Sequence, residues 1–277
     1  KAFKTHKNKE LKTSRITIIT VVYNGLPHLS EAIESVINQE YSGLEYIVID
    51  GNSDDGSIDV IKSYDRHIDK WVSEPDSGIY DAMNKGISMA NGNIIGILNA
   101  DDLLAPGILT VIADIFEKTN ADYLYGNVDR ITQKGEKYGI IKSLPDDRIQ
   151  TRKFRQVPFP HPSLYVKKSV FEEIVVYDTS FKLNADYDFI LRLLSIDYKS
   201  TYLNESVASY RDGGKSSGIR TFTERKRVWK KHRVSFIKRE YFAISSVLKL
   251  LLYRLFPLSV IKIFKKYRSQ SVQVIDN

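Results

Sequence analysis

The stretch GNIIGILNADDLLAPG, residues Gly92–Gly107, decides how this chain is read. Ile94, Ile95, Ile97 and Leu98 have the branched composition of a strand covered on both faces. The run ends in Asn99, Ala100 and an adjacent pair of carboxylates, Asp101 and Asp102. Carboxylates at the mouth of a buried strand are costly unless something cationic neutralises them. The identity of that cation is the first question the sequence raises.

Strand signals lie on either side of this stretch, in ITIITVVY (Ile16–Tyr23), LEYIVID (Leu44–Asp50) and WVS (Trp71–Ser73). They alternate with helix signals in LSEAIESVINQ (Leu29–Gln39), IYDAMNKGISMA and ILTVIADIFEK. In the first of these helices Leu29, Ala32, Ile33, Val36 and Ile37 share one face. The alternation predicts an α/β fold of Rossmann type, a mostly parallel sheet flanked by helices. Ligands of such sheets bind beyond the carboxyl ends of the strands, where Tyr23–Asn24, Asp50 and Asp101–Asp102 all fall. Past Asp129 the alternation weakens. NVDRITQKGEKYGIIKS reads as a hairpin turning at Lys134–Gly135, and NADYDFILRLLSI as an amphipathic helix introduced by carboxylates.

Composition narrows the chemistry. The 277 residues contain no cysteine, which excludes disulfides, thiolate metal sites and a cysteine nucleophile. The net charge of +7 is uneven, because Ile219–Arg268 holds 15 Lys and Arg against Glu224 and Glu240. The rest of the chain is therefore mildly acidic, and the basic segment points to a polyanionic surface. Within Ser235–Gln270, apolar residues are interrupted by Lys249, Arg254, Pro257 and Lys262, too often for a spanning helix. The pattern predicts two amphipathic helices, separated near Pro257, lying on an anionic membrane surface. Packing on the domain or in a homodimer is the alternative. No nucleic-acid recognition motif accompanies the charge, so no nucleic-acid partner is expected. The N-terminal KAFKTHKNKELKTSR has no apolar signal-peptide core, and no initiator Met opens it. The expectation is a chain starting upstream of Lys1, cytoplasmic and peripheral to the inner membrane face. Its organisation reads as an extension over 1–14, one domain over 15–218 and a basic helical tail over 219–277.

Five motifs in order, TVVYN, IDGNSDDGS, EPDSGIYDAMNKG, LNADD and NADYDFILRL, resemble the inverting family-2 glycosyltransferases. The resemblance runs from about Ile16 to Gly214. It implies a GT-A-like fold, a nucleotide-diphosphate sugar donor (a UDP-sugar favoured, GDP or dTDP possible) and Mn²⁺ or Mg²⁺ as cofactor. It also implies a glycan or lipid-linked glycan acceptor in surface polysaccharide synthesis. On this resemblance Tyr23, Asn24 and Asp50 border the base, while Asp76 and Lys85 line the donor pocket. Asn99 stands at the first position of the family's Asp-x-Asp, keeping an amide oxygen for a ribose hydroxyl. Asp101, with Asp102, is the metal ligand. Asp186 is the catalytic base, Asp188 lying off its helical face, and His161 belongs to the acceptor-side wall. Tyr210–Gly218 reads as a loop closing over the diphosphate.

Plainer readings of the same residues stand beside these. Asp101–Asp102 would cap the helix after Pro106, Asp186 would serve the macrodipole of its own helix, and His161 would be a packed structural residue. Gly51, Asn99 and Ala185 replace acids usual in the family, which keeps a degenerate binding module as one alternative. A sugar-nucleotide nucleotidyltransferase is another, weakened by the lack of a Gly- and Arg-rich phosphate loop after the first strand.

Overall fold

The computed structural model describes residues 14–213 and 219–255. Most of the expected N-terminal extension, the Gly214–Gly218 part of the candidate closing loop and the break at Pro257 lie outside them. The chain divides into two compact units, one up to Ser217 and one from Gly218 onward.

The first unit begins with β1 (Ile16–Val22), α1 (Leu26–Ile37), β2 (Leu44–Asp50), α2 (Ser57–Ser63), β3 (Lys70–Ser73), α3 (Ile79–Met89) and β4 (Ile94–Asn99). These strands pair in parallel in the order β3-β2-β1-β4. All seven residues of β1 are buried, which explains its uninterrupted apolar and β-branched sequence. Helix α3 lies so close on β1 that a Cβ at Gly86 would overlap Ile19.

Then follow β5 (Leu103–Leu104), α4 (Ile108–Thr119), β6 (Tyr123–Ile131), β7 (Lys137–Ile141), α5 (Asp146–Arg152), β8 (Leu164–Lys167), α6 (Lys168–Glu173), α7 (Ala185–Leu193) and β9 (Ser200–Arg211). They extend the sheet beyond β4 in the order β8-β6-β9-β5, with β7 pairing β6 at the side. This half is mixed rather than parallel: β8 runs antiparallel to β4 and β6, while β9 runs parallel to β6. The β6–β7 hairpin turns through Gly135 at φ +83°, a conformation open to glycine. At the amino ends of the parallel strands, Glu45 is buried and receives hydrogen bonds from Thr17 Oγ1, Asn91 N and Lys70 Nζ.

The second unit contains α8 (Ile219–Lys231) and α9 (Phe236–Leu255). Trp229 packs edge-on against Phe242 at 5.7 Å, and Lys226 pairs with Glu240 at 2.7 Å. Phe236, Ile237, Tyr241 and Ile244 of α9 remain exposed. Among the described residues no helix is long and apolar enough to cross a membrane.

Candidate active site

Loops at the carboxyl ends of β1 and β2 are laced together by the side chains of the sequence motif that joins β2 to α2. Ser53 Oγ accepts from Asn24 N at 2.9 Å, and Asn24 Oδ1 accepts from Asp54 N at 3.0 Å. Asp55 accepts from Leu26 N, and Ser57 Oγ accepts from Gly25 N. Asn24 and Asn52 both take positive φ, which asparagine tolerates better than most residues.

Asp50 is fully buried beneath this lacing. Its carboxylate accepts from Ser53 N (3.0 Å), Ser53 Oγ (2.5 Å) and Ser73 Oγ (2.6 Å). Asp50, expected at the nucleotide base, thus anchors the loop from below with its carboxylate held by two serines. The acid that faces this corner is Asp76. A Cβ at Gly51 would stand 2.5 Å from Asp76 Oδ2 and 3.4 Å from the Tyr23 ring. Glycine at 51 thus makes room for a carboxylate delivered from the β3–α3 loop. Asp76 Oδ1 is held by Gly78 N at 2.7 Å.

Lys85, expected to line the donor pocket, lies in the same corner. Its ammonium pairs with Glu74 at 2.9 Å and donates to Pro75 O at 3.1 Å, and the Glu74 hydrogen bond raises its pKa. It pins the β3–α3 loop.

At the end of β4, Asp101 and Asp102 divide their tasks. The following β5 is fixed by antiparallel pairing of Leu103 with Ser209 and Leu104 with Ala208, which clamps the turn. The capping alternative fails, because α4 begins at Ile108 with Gly107 as its N-cap and no side-chain cap. Asp102 is fully buried and accepts from Asn99 Nδ2 at 2.9 Å and from Arg211 N at 3.1 Å. Burial first, and the neighbouring Asp101 charge second, push its carboxyl up to about 7. Asp101 is half-buried, and desolvation raises its pKa as well. Among the described residues the Asp101 carboxylate takes a hydrogen bond from its own backbone N–H and the attraction of the Arg211 charge, with no side-chain donor on it, and Asn99 Oδ1 is a buried oxygen without a partner.

The cation the chain itself supplies here is Arg211, which sequence reading did not single out from YRDGGKSSG. Its fully buried guanidinium donates to Asp101 O (3.0 Å), to Gln133 O (2.9 Å) and to Glu31 Oε2 (2.6 Å). With Glu31 holding that charge, the aspartate pair keeps a surplus of negative charge. A carboxylate without a side-chain donor, with an orphaned amide oxygen beside it, fits one hard divalent ion whose other ligands come from a phosphate or water. No group of three or more His, Asp or Glu able to hold a metal by themselves occurs among the described residues.

Asp186 lies in the first turn of α7, half-buried, with Oδ1 accepting from Tyr80 Oη at 2.9 Å and Tyr187 N at 2.8 Å. Asp188, two residues on, is fully buried and paired with Arg192 at 2.9 Å, on a different face. His161 opens a 3-10 turn, His161–Ser163, at the end of β8 that lies beside the carboxyl end of β4. It is buried, its Nε2 is 2.7 Å from Tyr177 Oη, and desolvation lowers its pKa, so the ring is neutral. Its place is behind Tyr177, which in turn stacks on Tyr80 at 5.8 Å. Ala185, where the family has an acid, is fully buried in the core.

The model of the family described as "Glycosyl transferase family 2" matches residues 17–175, more than half of the chain. The chain belongs to glycosyl transferase family 2. An uncharacterised glycosyltransferase of Mycobacterium tuberculosis is 34% identical over 184 residues, covering 64% of this chain and 68% of that protein. A PGL/p-HBAD biosynthesis glycosyltransferase of Mycobacterium bovis is 29% identical, covering 73% and 79%. Among solved structures, Staphylococcus aureus TarS 1-349 in complex with UDP-GlcNAc is similar with a TM-score of 0.66 at 13% identity, covering 82% of this chain and 69% of that one. The mannosyltransferase PcManGT of Pyrobaculum calidifontis, in complex with GDP-Man and Mn²⁺, gives a TM-score of 0.60 at 14% identity, covering 95% and 81%. The chain spans 44% of the longer TarS chain. These likenesses establish the GT-A type of fold, and the family membership sets aside the nucleotidyltransferase alternative.

Proposed function

We propose that this chain is an inverting, metal-dependent glycosyltransferase that moves a sugar from a nucleoside-diphosphate sugar to an acceptor hydroxyl. The observation that carries the reading is the half-buried Asp101 carboxylate, which no side-chain donor reaches among the described residues, beside the orphaned Asn99 oxygen. Asp101 would hold a Mn²⁺ or Mg²⁺ ion, with Asn99 and Asp102 shaping the turn around it. When bound, the ion neutralises charge on the departing diphosphate. Tyr23 and Asp76 border the base, with Asn24 holding their loop.

The free oxygen of Asp186 takes the proton of the acceptor hydroxyl as the acceptor oxygen bonds to the anomeric carbon. The bond from that carbon to the diphosphate breaks, and its electron pair leaves with the nucleoside diphosphate. One displacement assisted by one base inverts the anomeric centre. A UDP-sugar is the favoured donor, consistent with the UDP-GlcNAc bound by the similar TarS structure, and GDP- or dTDP-sugars are the alternatives.

Calorimetric titration of UDP, GDP and dTDP, each with Mn²⁺ and with EDTA, tests the donor site. Binding of one diphosphate only in the presence of metal, weakened at least about tenfold in D101A, is the expected result. Failure of all three to bind would replace this reading by the degenerate module.

The acceptor is proposed to be a lipid-linked glycan at the inner membrane face. Support comes from the exposed apolar side chains of α9, Ile237, Tyr241 and Ile244, on a strongly basic unit. Co-sedimentation with phosphatidylglycerol vesicles is expected for the full chain and is lost in the I237D/I244D double variant. Equal binding by both proteins would remove the membrane from the proposal.

A further inference from the structure

Sequence reading had no role for Tyr80 or Tyr177, yet both sit against Asp186. Three separate parts of the chain meet there. Helix α3 contributes Tyr80, whose hydroxyl donates to Asp186 Oδ1 at 2.9 Å although its side chain is almost wholly buried. The segment before α7 contributes Tyr177, stacked on Tyr80 with 29° between the rings. The turn after Pro160 contributes His161, bonded to the Tyr177 hydroxyl at 2.7 Å.

The assembly is locked by a two-way bond between Asn84 and the backbone of Tyr177. Asn84 Nδ2 donates to Tyr177 O at 2.8 Å, and Tyr177 N donates to Asn84 Oδ1 at 3.0 Å. Asn84 lies one turn beyond Tyr80 on α3, so the latch fixes the helix face that carries the donating hydroxyl.

We propose that Tyr80 is the positioning residue of the catalytic base: its hydroxyl, buttressed by Tyr177 and His161, fixes the Asp186 carboxylate so that only Oδ2 is presented to the acceptor. The inference rests on Asp186 being the base. A carboxylate with both oxygens free rotates about χ2, which has a broad, roughly two-fold energy profile. Tyr80 Oη and Tyr187 N, both on Oδ1, remove that freedom. The groups that face Asp186 are consistent with this. Tyr80 and Tyr177 are both pushed far toward the protonated phenol, chiefly by burial and further by the Asp186 charge. His161 is kept neutral by burial. The carboxylate therefore meets a hydrogen-bond donor here, with no full positive charge from these three groups.

The test is Y80F, which keeps the ring on Tyr177 and deletes only the hydroxyl. Release of nucleoside diphosphate from the donor chosen by the calorimetry, with water as acceptor, is followed from pH 4 to 9 in wild type, Y80F and D186N. In Y80F kcat is expected to fall about tenfold, with the donor KM within about twofold of wild type. An unchanged kcat in Y80F with a silent D186N would overturn the positioning role and leave the base assignment standing. A rise in donor KM with kcat unchanged would place Tyr80 in the donor pocket instead and equally overturn it. Full activity in D186N would overturn both readings together.

Discussion

Asp186→Asn is expected to abolish turnover while leaving the fold and the donor site intact. An amide oxygen at the Oδ1 position still accepts from Tyr80 Oη and Tyr187 N, so the first turn of α7 keeps its contacts. What is lost is the second oxygen as a proton acceptor. General-base assistance contributes about 10²–10⁴ in rate, and the variant is expected to fall by about 10³ in kcat. Calorimetric binding of the nucleoside diphosphate with Mn²⁺ should stay within about twofold of wild type, because a group used only in the transition state adds little to ground-state binding. A variant that loses donor binding in parallel would reassign Asp186 to the donor pocket. One that keeps its turnover would leave the proposed displacement without a base.

The second large effect concerns stability and lies at the opposite end of the sheet. Glu45 is completely buried at the start of β2. Its Oε2 accepts from Thr17 Oγ1 (2.6 Å), Asn91 N (2.6 Å) and Gly92 N (3.1 Å), and its Oε1 from Asn91 Nδ2 (2.9 Å) and Lys70 Nζ (3.1 Å). Burial alone would raise its pKa, but the hydrogen bonds from Thr17, Asn91 and Lys70 outweigh that and lower it from 4.5 to about 2. The folded chain therefore binds the proton more weakly than the unfolded chain does. The resulting stability is complete above about pH 4.5 and disappears as the pH falls through about 2. At 1.36 kcal/mol per unit, the ionised carboxylate is worth about 3 kcal/mol at neutral pH.

E45Q replaces one acceptor oxygen by an NH₂ that must face donors, and removes the charge opposite Lys70. It is expected to cost about 3 kcal/mol, within the range for breaking a buried ion pair. Urea unfolding at pH 7 and at pH 3 checks both parts. Wild type should lose much of its advantage on acidification, whereas E45Q should lose little. A variant within about 0.5 kcal/mol of wild type at pH 7 would show that the hub contributes nothing net.

Hydrophobic patterning carried the first half of the fold into the sequence. The runs in β1, β2 and β4 are mostly apolar because both faces are covered, with Glu45 and Asp50 of β2 the buried charged exceptions, and the helices between them show one apolar stripe each. The second half was less legible. Strand β9 alternates buried and exposed residues irregularly along its twelve positions, and its parallel pairing with β6 carries two register shifts. No local periodicity reports such a strand, because its partners are distant in sequence.

The site shows the same division. Adjacent aspartates after an apolar strand and a carboxylate opening an amphipathic helix are local signals, so Asp101, Asp102 and Asp186 were found as candidates. The serines that hold Asp50 and the Glu74 that pairs with Lys85 were not legible, because spacing along the chain does not tell which way a carboxylate faces or which partner holds an ammonium. Arg211, Tyr80 and Tyr177 were missed for a related reason: each acquires its role from a residue about a hundred or more positions away.

By itself, then, the sequence determined the parallel βα half of the sheet, the family, and the acidic residue types available for chemistry, all of which follow from short-range pattern. Only the tertiary structure decided which of those acids are spent on holding loops and which keep an unpaired oxygen. Hydrogen-bond satisfaction inside a folded protein is a three-dimensional account, and its entries are made by residues that meet only when the chain closes on itself.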